Sequence, residues 1–267
     1  MNLTSTVLTL FPHPRMVLQQ DSSIKLLNTI SERKSILEST GVEHVEILKF
    51  TKEFSQLSAE DYVTHILIEQ LNAKVVVIGY DHHFGKNRSG NIEDLKRFGE
   101  IYDFEVKEIK AQQIDDVSVS STKIRSALDT GKVELANAYL GYNYSITGKV
   151  IKGEQIGRTL GYPTANIHVH ENYKLIPQDG VYIVKSTINN DTVFGMMNIG
   201  HNPTIPNKKP STEVHFFNFK KPLYHRILTI EFISRLRPEL KFKTLDDLKA
   251  QLQIDEQRSK RYLSEQS

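Results

Sequence analysis

Thr164 and Asn166 stand two residues apart in Pro-Thr-Ala-Asn, so in an extended chain both side chains turn to one face. A hydroxyl and an amide oxygen on that face are hard oxygen ligands, suited to magnesium, which retains much of its water. Just before them, glycines fall at 148, 153, 157 and 161, with Lys152 and Arg158 among them. Such spacing lets backbone N–H groups approach an anion, and the two cations add charge. Corners of β-barrels also demand glycine; glycines, cations and an oxygen pair together favour phosphate binding. A Walker A loop is not the means, because Gly79 to Asn87 has one residue too many between its glycines and ends in Asn where Ser or Thr belongs.

Glu213 opens Glu-Val-His-Phe-Phe-Asn-Phe219. Strand alternation puts Glu213, His215, Phe217 and Phe219 on one face. A carboxylate among phenylalanines is costly to bury without a partner or a task, and a general base for an alcohol would be such a task. A solvent-facing glutamate at a strand start is the plain alternative. His215 reads as a packing residue. Ser120-Ser-Thr-Lys-Ile-Arg125 places hydroxyls at a helix start with Lys123 and Arg125 in the first turn, where cations are unfavourable unless an anion sits at that end; an ordinary cap with solvated charges is the alternative. Gly79 to Gly90 follows an apolar strand, at the end where open parallel sheets bind ligands. His82 and His83 are adjacent and diverge, which makes them a weak metal pair.

The elements that must position these residues change character midway. Val7 to Phe11 and Val45 to Phe50 read as strands, the first of them buried, and Ser31 caps a helix that Gly41 stops. Ser58 and Asp61 resemble a capping box before Tyr62, Val63, Ile66, Leu67 and Leu71. Lys74 to Gly79, without polar alternation, predicts a parallel strand covered on both faces. A helix at Ile92 to Tyr102, a strand at Glu105 to Ile109 and a helix from Thr122 to Gly131 complete a βαβα rhythm. From Tyr144 the strands are short and punctuated. Val181 to Ile188 and Thr192 to Ile199 flank an Asn189-Asn190 hairpin turn, and Glu213 to Phe219 and Leu228 to Leu236 follow. A final helix capped by Thr244 with Asp247 brings Leu245, Leu248, Leu252 and Tyr262 as apolar contacts. The expected fold is an α/β domain over 1–141 and a small β-barrel or sandwich with a C-terminal helix over 142–267.

Composition narrows the function. The chain has 267 residues, 39% hydrophobic and 25% charged, with Lys+Arg 34 against Asp+Glu 32 and a net charge of +2. That balance offers no polybasic field for nucleic acid. Cysteine is absent, which removes disulfides, thiolate zinc sites and a cysteine nucleophile. The opening residues lack a positive n-region, and no apolar run nears the roughly 18 residues a membrane helix needs. A cytoplasmic protein without a membrane or nucleic-acid partner is expected.

Several motifs in order carry a resemblance. Gly-Arg-Thr-Leu-Gly-Tyr-Pro-Thr-Ala-Asn-Ile167, Gly180-Val-Tyr, Gly195-Met-Met-Asn-Ile-Gly, Glu213 to Phe219 and Leu236-Arg-Pro-Glu-Leu-Lys-Phe242 resemble the kinase module of bacterial bifunctional riboflavin kinase/FMN adenylyltransferases, or FAD synthetases. Phe11-Pro-His-Pro14, Gly79-Tyr-Asp81 with Phe84-Gly85, and Ser120 to Arg125 are similar to the adenylyltransferase module, a Rossmann-like parallel sheet. The resemblance implies a six-stranded antiparallel barrel that binds riboflavin and MgATP and releases FMN. It assigns Thr164 and Asn166 to magnesium and phosphate, and Glu213 to general base on the ribityl 5′-hydroxyl. Gly153, Gly157, Arg158 and Gly161 become the ATP cradle, Asn198 a flavin contact, and His13, Asp81, Ser121, Thr122 and Arg125 an ATP/FMN pocket. The family has Leu-Tyr-Gly where this chain has Leu223-Tyr224-His225. The family's Gly-x-Phe-Asp-Gly-x-His-x-Gly-His segment does not occur, so an incomplete first domain, weak FAD formation and self-association through an unpaired strand edge are expected. A complete bifunctional enzyme with more chain upstream, or a non-catalytic flavin or nucleotide sensor, are the rival readings.

Overall fold

The computed structural model describes residues 3–19, 24–79, 81–109, 113–114, 117–201 and 210–266, with backbone alone for 113–114 and 117–118. Tyr80, in the Gly-Tyr-Asp motif, lies outside them. The chain divides into two compact units, Met1–Ile24 with Ile30–Val119, and Lys25–Thr29 with Ser120–Ser267.

In the first unit, β1 (Thr6–Phe11) leads to α1 (Pro14–Leu18) and α2 (Ile30–Ser39). β2 (His44–Lys49) runs parallel to β1. α2 begins at Ile30, so Ser31 lies inside the helix rather than at its cap. Ser58 and Asp61 do form a capping box, opening α3 (Ala59–Asp61), and the helix continues over Tyr62–Gln70 with π-type turns, Leu71 N donating to Ile66 O. β3 (Val75–Gly79), α4 (Ile92–Tyr102) and β4 (Glu105–Ile109) follow, β3 parallel to β4. β5 (Gln113–Ile114) and β6 (Val117–Ser118) make a short antiparallel ladder. Two expectations are corrected: β1 is half-buried rather than buried, and Val77 of β3 is 52% exposed, so that strand is not covered on both faces. The core gathers instead on the other side, where Val63, Leu67, Phe84, Leu95, Phe98 and Phe104 pack with Val76 and Ile78.

The second unit opens with α5 (Ser121–Asp129) and α6 (Val133–Leu140); the sequence reading overlooked α6, which lies upstream of the 141/142 boundary. It is bound to the barrel, Asn137 Nδ2 donating to Phe232 O and Ser234 Oγ to Glu134 Oε1. β7 (Ser145–Ile151), α7 (Ile156–Thr159), β8 (Ala165–His168), β9 (Gly180–Ile188), β10 (Asp191–Gly200), β11 (Ser211–Phe216), β12 (Ile227–Arg237) and α8 (Leu245–Glu265) complete the chain. The six strands close a barrel in the order β10-β11-β8-β7-β12-β9, each pairing antiparallel. Closure removes sheet edges, and alternation fills the inside with Ile146, Tyr182, Val184, Met197, Val214, Ile230 and Phe232, all fully buried. Asn189 and Asn190 take φ of 54° and 68°, the mirror-image turn that matches the twist of a two-residue hairpin. Thr244 and Asp247 cap α8 reciprocally. Leu248 is buried against the barrel, whereas Leu245, expected to pack, is 49% exposed.

Candidate active site

Barrel register assembles the site. β11 lies between β8 and β10, and Glu213 is the cross-strand partner of both Asn166 and Asn198. Residues opposite each other in a ladder share a face, so two amides flank one carboxylate across three neighbouring strands. Both carboxylate oxygens accept hydroxyl hydrogen bonds, Oε2 from Thr164 Oγ1 at 3.0 Å and Oε1 from Ser211 Oγ at 2.9 Å. Thr164, Asn166, Asn198 and Glu213, read separately along the sequence, thus come together. Asn198 also donates from Nδ2 to Glu239 Oε1 at 3.2 Å, and Glu239 Oε2 accepts from His201 N.

The glycines have a narrower task than a free anion nest. A Cβ on Gly153 would stand 2.2 Å from Asn166 Nδ2, and one on Gly157 would stand 2.3 Å from Tyr162 O. Only bare backbone lets the loop lie against the Thr164–Asn166 strand. Gly161 has open space but a φ of 86°, the left-handed conformation that turns the chain from α7 into Tyr162.

Two clefts share Thr164 and Gln155. The first has Ile156, Leu160, Met196, Phe242 and Leu252 in its walls, with Asn198, Glu213, His215 and Arg237 among its polar points. The second carries Arg158, Lys220 and Lys221 beside Pro163, Phe219 and Tyr224. Phe219, expected to share the face of Glu213, stands on the opposite side with Phe216, their ring centroids 6.2 Å apart. β11 ends at Phe216 and Asn218 takes a φ of 56°, which breaks the alternation. Phe217 stays on the expected side, packed with Tyr162, Val181 and Met196. Lys220 and Lys221, read only as a connection between strands, are cations the sequence reading missed; the Lys-Lys-Pro run after the glutamate strand was the available signal.

α8 forms a wall of the first cleft. Asp255, fully buried, accepts from Arg237 Nε and Nη2, the latter at 2.7 Å, and from Gln251. Tyr162 OH donates to Glu256 Oε2 at 3.1 Å, and Lys260 Nζ reaches Glu256 Oε1 at 2.6 Å. Burial, helped by the Glu256 carboxylate, pushes the Tyr162 hydroxyl up to about 12, so it remains a donor. Among the described residues no group of three or more His, Cys, Asp or Glu could hold a metal ion.

The remaining expected residues are divided between the units. In the first, His13 caps α1, its Nδ1 accepting from Arg15 N at 3.2 Å, and Asp81 is an exposed turn residue just past β3. His82 beside it stacks on Phe84, and burial lowers its pKa against the pull of Asp81. In the second unit Ser120 caps α5, leaving Ser121 and Thr122 exposed at its first turn. Arg125 lies beyond that first turn, contrary to expectation, and its Nε donates to Lys25 O at 3.0 Å.

Residues 140–263 match the family model described as riboflavin kinase, and residues 1–123 the one described as FAD synthetase. A bifunctional riboflavin kinase/FMN adenylyltransferase of Listeria monocytogenes is 38% identical over 98% of this chain and 83% of its own length. Proteins of the same description from Buchnera aphidicola of Schizaphis graminum (97% of this chain, 84% of theirs) and Bacillus subtilis (98% and 83%) are 40% and 37% identical. A solved structure from Streptococcus pneumoniae, described as a macrolide-efflux protein, superposes with a TM-score of 0.85 at 31% identity over 97% of this chain and 84% of that one. No helix among the described residues is long and apolar enough to cross a membrane. With both family models matched in order and relatives similar over nearly all of this chain, the chain belongs to the bifunctional riboflavin kinase/FMN adenylyltransferase family.

Proposed function

We propose that residues 142–267 transfer the γ-phosphoryl group of ATP to the 5′-hydroxyl of riboflavin, and that Glu213 is the base. The observation that carries this reading is the position of Glu213, level with Asn166 and Asn198 and hydrogen-bonded to Thr164, which with Gln155 borders both clefts. The first cleft, with its apolar walls, suits an isoalloxazine ring and the cationic one a nucleotide. The ribityl hydroxyl donates to Glu213. As its oxygen bonds to phosphorus, the bond to the ADP oxygen breaks and the proton passes to the carboxylate. Arg158, with Lys220 and Lys221, holds the phosphates, and the backbone at Gly153, Gly157 and Gly161 keeps the loop close to them.

Thr164 Oγ1 and Asn166 Oδ1 fit magnesium, a hard ion content with few protein ligands, and Gly153 leaves the Asn166 amide room that a Cβ would fill. When bound, the ion neutralises charge on the transferring phosphate. Asn198 is assigned to the flavin. In the adenylyltransferase-like module, 1–141, His13 and Asp81 of the first unit and Ser121, Thr122 and Arg125 of the second are assigned to nucleotide contacts. The cytoplasm is the compartment that fits a chain without cysteine.

Incubation with riboflavin, ATP and magnesium, with FMN and FAD separated, tests the reading. Wild-type protein yields FMN. Glu213→Ala lowers kcat by about a thousandfold or more while nucleotide affinity stays within about threefold; near-normal turnover in that variant would remove the base assignment. FAD appearing after FMN assigns the second step to the same chain.

A further inference from the structure

His215 lies two residues beyond Glu213 on the same strand face and borders the same cleft. Its Nδ1 is 2.9 Å from the carbonyl oxygen of Pro163. A carbonyl can only accept, so Nδ1 carries the hydrogen and donates it. The ring makes edge contacts with two aromatic neighbours, 5.1 Å from the Tyr162 ring at 68° and 6.1 Å from the Phe217 ring at 66°. Among the described residues its hydrogen bond is to the main chain immediately before Thr164, whose hydroxyl reaches Glu213. Tyr162, the residue before Pro163, is in turn fixed through its hydroxyl to Glu256 of α8. Proline has no N–H, so the carbonyl is the only backbone hydrogen-bonding group Pro163 offers.

We propose that His215 is a positioning residue for phosphoryl transfer, holding the Pro163 carbonyl so that Thr164 faces Glu213. The inference rests on the assignment of Thr164 and Glu213 above. It does not make His215 a base or a ligand. What matters is a hydrogen at the Nδ1 position, an arrangement an asparagine amide can imitate and a phenylalanine ring cannot. Packing alone makes the opposite demand, because phenylalanine fills the space between Tyr162 and Phe217 and asparagine leaves it partly empty.

The test is steady-state kinase assay of His215→Asn, His215→Phe and His215→Gln in the full chain, with Glu213→Gln in parallel and thermal unfolding of each. Loss of the tether in His215→Phe lowers kcat by roughly tenfold, the effect of one hydrogen bond, with KM for riboflavin and ATP changed less than about threefold. His215→Asn restores kcat to within about threefold of wild type even where it unfolds at a lower temperature. His215→Gln, whose donor falls at the Nε2 position, behaves like His215→Phe and keeps the comparison usable should one variant fold poorly. Full activity in His215→Phe, or no recovery in His215→Asn, overturns the proposal. If Glu213→Gln is itself fully active, the base assignment has failed, whatever His215 does; if Glu213→Gln is inactive and His215→Phe is normal, only the positioning role has failed.

Discussion

A carboxylate with four polar neighbours is specified by single atoms, and small substitutions should reveal it. Gly153 shows this best. An added methyl would stand 2.2 Å from Asn166 Nδ2 and 2.7 Å from its Oδ1. Asn166 has a short side chain, so the clash is relieved by turning the amide away from the site or by lifting the loop. Gly153→Ala should therefore lower kcat by about tenfold or more, while Tm falls by no more than a few degrees; unchanged kcat would show that the loop has slack. Along the sequence, Thr164 and Asn166 stood out because a hydroxyl and an amide two residues apart share a strand face, while Glu213 kept a solvent-facing strand start as its plain alternative; only the barrel register sets the carboxylate beside the pair. The tether of His215 was not legible, since its hydrogen bond goes to a main-chain carbonyl that no side-chain pattern records. The link from Asn198 to Glu239 joins residues 41 positions apart, and only the barrel register makes it visible.

Elements show where local rules suffice and where neighbours override them. Capping boxes at Ser58, Asn91 and Thr244 formed from spacing alone. The exposure of Val77 and of Leu245 did not follow from apolar character, because burial depends on what lies opposite. His225 is a third case. Its φ of 66° lies in the left-handed region that favours glycine, at the strain of a Cβ there. The side chain is exposed and its backbone N–H still reaches Val150 O at 2.9 Å. His225→Gly should raise stability by a few tenths to about 1 kcal/mol, read as a Tm gain of up to about 4 °C with kinase activity retained; a lower Tm would show that the imidazole does something there. The attachment of α8 should weaken as pH falls. Lys260 chiefly, with Tyr162, holds the Glu256 carboxyl below its usual range despite partial burial. A depressed folded-state pKa gives stability that is present above the unfolded value and lost as pH falls through the folded one. The Tm difference between wild type and Glu256→Gln should accordingly be widest near neutrality and close below about pH 4.

At the scale of the molecule, the second unit is discontinuous in sequence. Lys25–Thr29 belongs to it although the chain returns only at Ser120. Leu26 is 2% exposed; its N–H donates to Tyr173 O at 2.7 Å and its carbonyl accepts from Leu175 N at 2.9 Å. Lys174, also 2% exposed, donates from Nζ to Leu27 O at 2.7 Å and lies 4.5 Å over the Tyr144 ring. A buried ammonium needs such partners, and here they include a carbonyl of the distant segment. No periodicity announces this arrangement, since five residues are too few to display one. Its energetic weight is nevertheless that of a core contact. Leu26→Ala removes a buried leucine side chain and should cost about 3 kcal/mol, lowering the unfolding temperature of the kinase-bearing unit by roughly 10 °C. No atom of Leu26 borders either cleft. Kinase KM and kcat measured well below the transition should therefore match wild type, while inactivation on heating comes earlier. A Tm within about 1 °C of wild type would mean that the unit is complete without this segment.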